Sequence, residues 1–581
     1  MTLDLGIDLA GTPFSRRGSY LALSRLDRPH ARGLFLRTVH GGVRQAELMR
    51  FVVGGDDAPL ASAEPGRLSL RGGDSVVEVA LEGSGRALVR LVRGSVALDI
   101  QVSSQYDVVL QESAGVWRFI ASGANRNYRL VVRGGESELD AGWDGVKDTA
   151  ARLVVRATTE PVTVTVDEFA STPPVAGPAD FDAVVADAER DFVDWVALHG
   201  HETDDPQLRR AVRHAAFVTW AALVPAGGAL RRESMLMSKN WMTNVWAWDH
   251  CFNAIALWRD PDAAAGQLLT LFDHQDEHGS LPDFVNDLGV EPNFVKPPIH
   301  GWAIGFLLDR DGLTPAAVEQ LYEPLARWTR WWFAHRVYGG DGIPSYNHGN
   351  DSGWDNSTVF GGGVPVQSPD LPAFLALQST TLARMADVLG RGAEAEQWRR
   401  QSAQTVRTML ERFWTGDRFV ARRTLTQDPI ESDSLLTFMP LVLGDGLPGA
   451  VADRCVERLL GGAYLTVNGL ATEPTDSAHY VPDGYWRGPI WAPSTMLLVD
   501  GLRRAGHRGL ADDIAGRFVR MCTHNGMAEN FDAVTGAGLR DLSMTWTASV
   551  FLTLVAAPAT VAGLSRNGRR RSPRWPSRSG S

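Results

Sequence analysis

A chain of 581 residues is too long for one ordinary hydrophobic core and should divide into two or three domains. Its 44% hydrophobic and 22% charged residues are the make-up of a soluble globular protein, and a net charge of −11 argues against a nucleic-acid surface. Ser565 to Ser581 carries six Arg and no acid, so the rest of the chain sums to about −17, that is −11 less those six charges. Residues 561–581 therefore read as a disordered basic tail.

The first ten residues, Met-Thr-Leu-Asp-Leu-Gly-Ile-Asp-Leu-Ala, alternate apolar and polar positions and contain acids, which predicts a strand and not a signal peptide. From there to about residue 170 the chain reads as β. Runs rich in Val, Leu and Ile (Ser75 to Leu81, Ala87 to Val92, Val96 to Val102, Tyr128 to Val132, Arg152 to Ala157, Val162 to Asp167) alternate with turns such as Arg71-Gly72-Gly73-Asp74 and Arg133-Gly134-Gly135. That spacing predicts an antiparallel β-sandwich over residues 1–170. Pro173, Pro174 and Pro178 mark a linker, and Ala179 to His199 a connecting helix, so that 171–203 joins two domains.

From about Asp204 the apolar period changes from two to 3.6. Helices are expected over Pro206 to Leu223, Asn244 to Trp258, Asp262 to Asp276, Pro298 to Leu308, Pro315 to His335, Pro369 to Leu389, Ala393 to Phe413, Ser432 to Leu443, Ala450 to Leu460, Gly488 to Ala505, Leu510 to Cys522 and Thr545 to Leu554. A dozen helices over 204–560 suit six hairpins closed into a ring, an all-α (α/α)6 barrel whose loops at one end surround a pocket. No apolar run reaches the ~18 residues needed to cross a bilayer. Cys251, Cys455 and Cys522 are scattered and odd in number, which offers neither a disulfide framework nor a zinc spacing and suits a cytoplasmic protein.

Chemistry concentrates in the connections. Tyr346 to Phe360, Tyr-Asn-His-Gly-Asn-Asp-Ser-Gly-Trp-Asp-Asn-Ser-Thr-Val-Phe, sets Asp351 and Asp355 among turn-forming residues with rings on both flanks. Ser238 to His250 packs Trp241, Trp246 and Trp248 around Asp249. Lys296-Pro297-Pro298-Ile299-His300-Gly301-Trp302 and Tyr485-Trp486-Arg487-Gly488-Pro489-Ile490-Trp491 each begin a helix, and His524 to Phe531 presents the lone acid Glu529 in a loop. Any one of these Trp residues is ordinarily core. Several of them, each beside a charge at a loop–helix junction, point to a carbohydrate pocket, with rings for sugar faces and charges for hydroxyls. His274-Gln275-Asp276-Glu277-His278 formally matches a zinc motif, but Gly279-Ser280-Leu281-Pro282 ends the helix that such a site would need, so no metal or other cofactor is expected.

Trp246-Ala247-Trp248-Asp249-His250, Ser352-Gly353-Trp354-Asp355-Asn356-Ser357, Ser368-Pro369-Asp370-Leu371, Tyr485 to Trp491 and the Glu529 loop occur in the order seen in glycoside hydrolase family 63. Over residues 205–557 the chain most resembles that family's bacterial branch, which includes mannosylglycerate and glucosylglycerate hydrolases. The resemblance implies an (α/α)6 barrel that hydrolyses an α-linked glucoside with inversion, Asp355 as general acid and Glu529 as general base. It implies a sugar ligand in Asp249 and sugar-site residues in Tyr485, Trp486 and Gly488. Trp241, Trp246, Trp248, His300, Asp351, Arg487 and Trp491 complete the expected substrate-binding set. Two departures stand out: Asp351 falls where relatives often carry Glu, and the compact members lack a β-rich N-terminal half.

The residues support the same chemistry. Inverting hydrolysis needs one protonated carboxyl beside the leaving oxygen and one carboxylate holding a water on the opposite face. Two acids on separate loops of one rim satisfy that, which selects Asp355 with Glu529 and leaves Asp351 to orient the loop or to raise the pKa of Asp355. A sugar epimerase on the same barrel, using His250, His300, His348 or His524 as base, is the rival enzyme. A non-catalytic sugar-binding protein is the rival without turnover. Carbohydrate is the expected partner; neither membrane nor nucleic acid is, and the sequence does not indicate an oligomeric state.

Overall fold

The computed structural model describes residues 5–42, 46–175, 177, 180–338 and 340–557. Pro178, Ala179, the first four residues and the Arg-rich tail lie outside the described residues. The β-rich part holds two antiparallel sheets. One has six strands in the order Leu21–Arg28, Ala31–Thr38, Glu47–Val53, Ser95–Ile100, Asp148–Arg156 and Glu136–Trp143. The other has eight, Leu60–Glu64, Arg67–Gly72, Ser75–Glu82, Arg86–Arg93, Val162–Phe169, Arg126–Arg133, Val116–Ala121 and Val108–Ser113. Inward residues of both sheets, among them Leu36, Phe51, Leu98, Val79, Val89 and Leu130, share one apolar core. The period-two rule is visible along Ser95–Ile100, where Val96, Leu98 and Ile100 are buried and the residues between them half-buried.

All six strands expected from sequence are present, and so are their turns: Gly73, Gly134 and Gly135 take the positive φ that those turns demand. Of the expected N-terminal strand, the described residues Leu5 to Ala10 form none. Leu5 to Ala10 is irregular, and the Asp8 carboxylate accepts from the Ala10 amide to make a local turn where strand pairing was expected.

Phe181–His199 is helical and leads into the helical part. Its helices match the expected segments closely where Asp or Thr caps precede Pro at the first turn. Asp205 accepts from Gln207 and Leu208 ahead of Pro206–Ala222, and Thr314 accepts from Ala317 ahead of Pro315–His335. The departures fall beside the acid-bearing loops. The helix expected from Asn244 begins only at Asp249, because Val245–Trp246 pairs as a short strand with Phe284–Val285. The one expected from Gly488 begins at Ala492, because Ile490–Trp491 pairs with Asn530–Phe531. Leu435–Gly446 forms 3-10 turns broken at Gly444 in place of an α-helix. Among the described residues no helix is long and apolar enough to cross a membrane.

Candidate active site

The two short ladders explain how acids far apart in sequence meet. Ile490 opposite Phe531 and Trp491 opposite Asn530 tie the Tyr485 segment to the Glu529 segment. Trp246 opposite Phe284 ties the Asp249 segment to that of Asp283. Asn356, next to Asp355, closes the remaining gap. Its Oδ1 accepts from the Trp486 amide at 2.9 Å and its Nδ2 donates to Gly484 O at 3.0 Å. Gly353 lets the Asp355 loop lie flat, since at its φ of 73° a Cβ would come within 2.6 Å of the Trp248 ring.

At the centre is Tyr485, held in the left-handed region at φ 63°, uncommon for an aromatic residue. Its hydroxyl lies near the side chains of both Asp355 and Glu529 and acts on the proton affinity of both. Both carboxyls are pushed toward the protonated form. Burial raises Asp355, and the nearby Asp283 adds to it, against the pull of Lys296. Burial lifts Glu529 to about 7, with the Asp541 carboxylate adding to the rise. Asp249 is completely buried and raised well above its usual range, again chiefly by burial, and it feels Lys296, Asp283 and Asp355. Asp249 Oδ2 and Asp355 Oδ1 have no hydrogen-bond partner within the protein. Lys296 is the counter-charge of the group, 3.0 Å from Asp283 and donating to Asn350 O at 3.1 Å.

Behind Tyr485 is a bed of indoles. Trp486 stacks on Trp491 at 4.0 Å between centroids, lies 4.5 Å from Trp354 and 6.0 Å from Trp248, and is fully buried. Trp491 Nε1 donates to Tyr485 O at 2.9 Å, which fixes the strained residue. Trp246 is half-buried against Phe284 at 5.3 Å. Arg487 is half-buried, and Gly488 is buried at φ 146° with Val481 O where a side chain would go. Asp370 accepts from Tyr346 Oη at 2.7 Å, holding the start of the acid loop.

Three expected substrate contacts are placed elsewhere. Trp241 is clasped between two guanidinium groups of the β-rich part, Arg28 at 3.5 Å and Arg37 at 4.3 Å from its ring. Asp351 is completely buried, paired with Arg336 at 2.7 Å and accepting from the amides of Asn347 and Val295, so both oxygens are occupied. It orients the loop; Asp283 is the neighbouring carboxylate that raises Asp355. His300 is sealed in the core beside Phe272 and Trp328, where burial holds it neutral. His250 is equally buried, so neither can serve an epimerase as base, while His348 and His524 are exposed. Among the described residues His250, Cys251 and His300 form the group whose ligand atoms, within 4.8 Å of one another, could hold a metal ion. The His274–His278 stretch does not: the helix stops at Phe272 and His278 and Glu277 point into solvent.

Sequence reasoning passed over Asp283 and Asp541, and named Asn356 only within a motif and Lys296 only as part of a helix start. Asp283 and Lys296 each carry a charge inside an apolar stretch, Leu281-Pro282-Asp283-Phe284-Val285 and Phe294-Val295-Lys296-Pro297-Pro298, which is the signal that could have found them.

Comparison with known proteins adds to this geometry. The family profile described as the mannosylglycerate hydrolase MGH1-like glycoside hydrolase domain matches residues 242–547. The mannosylglycerate hydrolase of Rubrobacter radiotolerans is 24% identical over 405 residues, covering 53% of this chain and 90% of its own. The glucosylglycerate hydrolase of Mycolicibacterium hassiacum is 23% identical over 408 residues, covering 53% and 91%. Among solved structures, the GH63 mannosylglycerate hydrolase of Thermus thermophilus in complex with glucose superposes with a TM-score of 0.52 at 20% identity, over 59% of this chain and 98% of that one.

Proposed function

The chain belongs to the mannosylglycerate hydrolase MGH1-like glycoside hydrolases of family 63 and is a glycosidase, and we propose that it hydrolyses a small α-linked glycoside with inversion, Asp355 being the general acid and Glu529 the general base. The observation that carries this reading is that two buried carboxyls of raised pKa, on separate loops, gather around the one Tyr485 hydroxyl. Asp355 would protonate the departing oxygen, favoured by its burial and by Asp283. Glu529 would take a proton from water on the opposite face as the glycosidic bond breaks. Asp249, with an unpaired buried oxygen, would accept from sugar hydroxyls, and the rim of Trp246 would stack on a ring face.

The proposal extends to architecture and substrate. The last helix, Thr545–Val555, packs on the first, Pro206–Ala222, and this closure supports an (α/α)6 barrel over 204–560, set apart from a β-sandwich over 1–170 by a linker at 171–203. The substrate is an α-glucoside or α-mannoside of a disaccharide or a small hydroxy acid. Glucosylglycerate and mannosylglycerate come first because the relatives are named for them. A cytoplasmic site of action fits the three free cysteines.

A screen of α-linked disaccharides and glycosylglycerates, followed by NMR of the earliest product, tests the reading. An α-glycoside should release the β-anomer first. The α-anomer, or sugar interconversion without hydrolysis, would overturn it.

A further inference from the structure

The helical part carries every group of the proposed site, which leaves the β-rich part without a role. Its contact with the helical part is not a general apolar seam at one place: around Ser238 to Trp241 it is a set of directed hydrogen bonds. Arg37, almost completely buried, donates to Asn240 O at 2.6 Å, to Lys239 O at 3.4 Å and to Ser24 Oγ at 3.1 Å. The buried Lys239 Nζ donates to Ser15 Oγ, Arg16 O and Ser19 O at 3.1, 3.2 and 2.5 Å. Asn240 Nδ2 splits its two hydrogens, one to Gly11 O of the β-rich part at 2.7 Å and one to Asp541 Oδ1 at 3.0 Å.

Asp541 is the next link. It is buried, and its carboxylate also accepts from Ser238 Oγ at 2.5 Å and from the Ser543 amide at 3.0 Å. Its carbonyl accepts from the Glu529 amide at 2.6 Å. Asp541 thus faces the Asn240 clamp with its side chain and Glu529 with its backbone, and its charge reaches Glu529 through space. The positive charge of Arg37 in turn acts on Asp541. We propose that Asn240 and Asp541 are positioning residues through which the β-rich part, by way of Arg37, holds the Glu529 loop in place and governs the proton on Glu529. This rests on the reading of Glu529 as the base.

Groups facing Glu529 are Asp541 and Arg540 on the adjoining loop, Tyr485 across the short ladder, and Trp546, whose Nε1 donates to Glu529 O at 3.1 Å. Groups facing Asp541 are Arg37, Asn240 and Ser238; Lys239 spends its donors on the 15–19 segment. Of these charges, Asp541 opposes ionisation of Glu529, and Arg37 offsets Asp541. The two should therefore act with opposite signs, which a mere packing role would not produce.

The test is direct titration of Glu529 in the full chain by ¹³C carboxyl NMR with labelled Glu, assigned by its loss in Glu529→Gln. Asp541→Asn should move the titration down by about half a pH unit or more, and Arg37→Met should move it up by a similar amount. Where Arg37→Met gives no folded protein, Asn240→Ala, which strips a donor from Asp541, should also move it up. The acid limb of kcat/KM on an α-glycosyl fluoride, whose leaving group needs no proton, should move with the titration. A Glu529 titration unmoved in the folded variants, even with activity lost, would overturn the inference. A Glu529→Gln enzyme as active as the parent on the fluoride would overturn the assignment of the base and leave the titration result standing by itself.

Discussion

The molecule holds two buried polar clusters built to opposite rules. At the junction of the β-rich and helical parts, His40 lies between Asp287 at 2.6 Å from Nδ1 and Glu168 at 2.6 Å from Nε2. The other oxygens are used as well: Glu168 accepts from Tyr128 Oη at 2.8 Å and Asp287 from the Gly41 amide at 2.9 Å, while the Tyr20 ring stacks on the imidazole at 4.2 Å. Around Asp355 the pattern is reversed. Asp249 Oδ2 and Asp355 Oδ1 find no partner in the protein, and burial drives both groups toward their neutral forms. A buried polar atom without a partner costs roughly 1–3 kcal/mol. The first cluster spends its polar atoms on holding two parts of the chain together; the second leaves two of them without a protein partner, the pattern expected where a ligand is to be bound.

The sharpest way to break that contrast is to neutralise the open cluster. Asp355→Asn should lower kcat about 10²- to 10⁴-fold on an α-linked disaccharide. On an aryl glycoside or a glycosyl fluoride, which leaves without a proton, the loss should be far smaller. Glu529→Gln should be impaired on both, because water still has to be activated. Equal losses for both variants on both substrates would remove the proposed division of labour.

The closed cluster should answer in stability. Removing the imidazole in His40→Leu leaves two buried carboxylates facing each other, with Arg126 3.6 Å from Asp287 and 3.8 Å from Glu168 as the remaining cation. Breaking a buried ion pair in this way costs about 3–5 kcal/mol, to be read as a shift in denaturation midpoint. The cost should depend on pH. Burial opposes the charge on His40, but its hydrogen bonds to Asp287 and Glu168 win and its pKa is raised. Its contribution is thus full below the unfolded value near 6.5 and is lost as pH rises through the higher folded value. The gap between parent and variant should be widest in mild acid and narrow with rising pH.

How far each cluster was readable in the sequence follows from how local its causes are. The six expected strands and most helices were legible because alternation, glycine turns and Asp-Pro or Thr-Pro starts act within a few residues. Asp355, Glu529, Asp249 and Tyr485 were legible because their loops are rich in turn-formers and rings. Trp241 and Asp351 misled for the same reason: an indole or a carboxylate in such a loop looks identical whether it meets a ligand or an Arg supplied by another element. His40, Asp287, Asn240 and Asp541 carried no local mark at all, since their partners come from distant strands and loops. The late start of the helices at Asp249 and Ala492 also had a non-local cause, the two short ladders that only the folded chain can form.

The pH dependence of turnover separates the clusters further. With Glu529 at about 7 in the free enzyme, kcat/KM should fall about tenfold per pH unit well below that point, as the base takes up its proton. A flat profile down to pH 5 would mean that the group ionises normally or is not the base.

The smallest effect expected is also the one of opposite sign to the His40 variant. A carboxyl whose folded pKa lies above its unfolded value binds its proton more tightly when folded, so folding is favoured at low pH and disfavoured as pH rises toward the folded value. For Glu529 a rise from 4.5 to about 7 corresponds to roughly 3 kcal/mol at most, lost between those limits and fully absent above them. Glu529→Gln carries no charge to bury. The variant should therefore be as stable as the parent near pH 4 and more stable at pH 8, by up to that amount, while its activity is lost. Urea denaturation of both proteins at the two pH values reads this directly. A variant less stable than the parent at pH 8 would show that the protein holds Glu529 for its own cohesion, as it holds His40, and the difference between the two clusters would disappear.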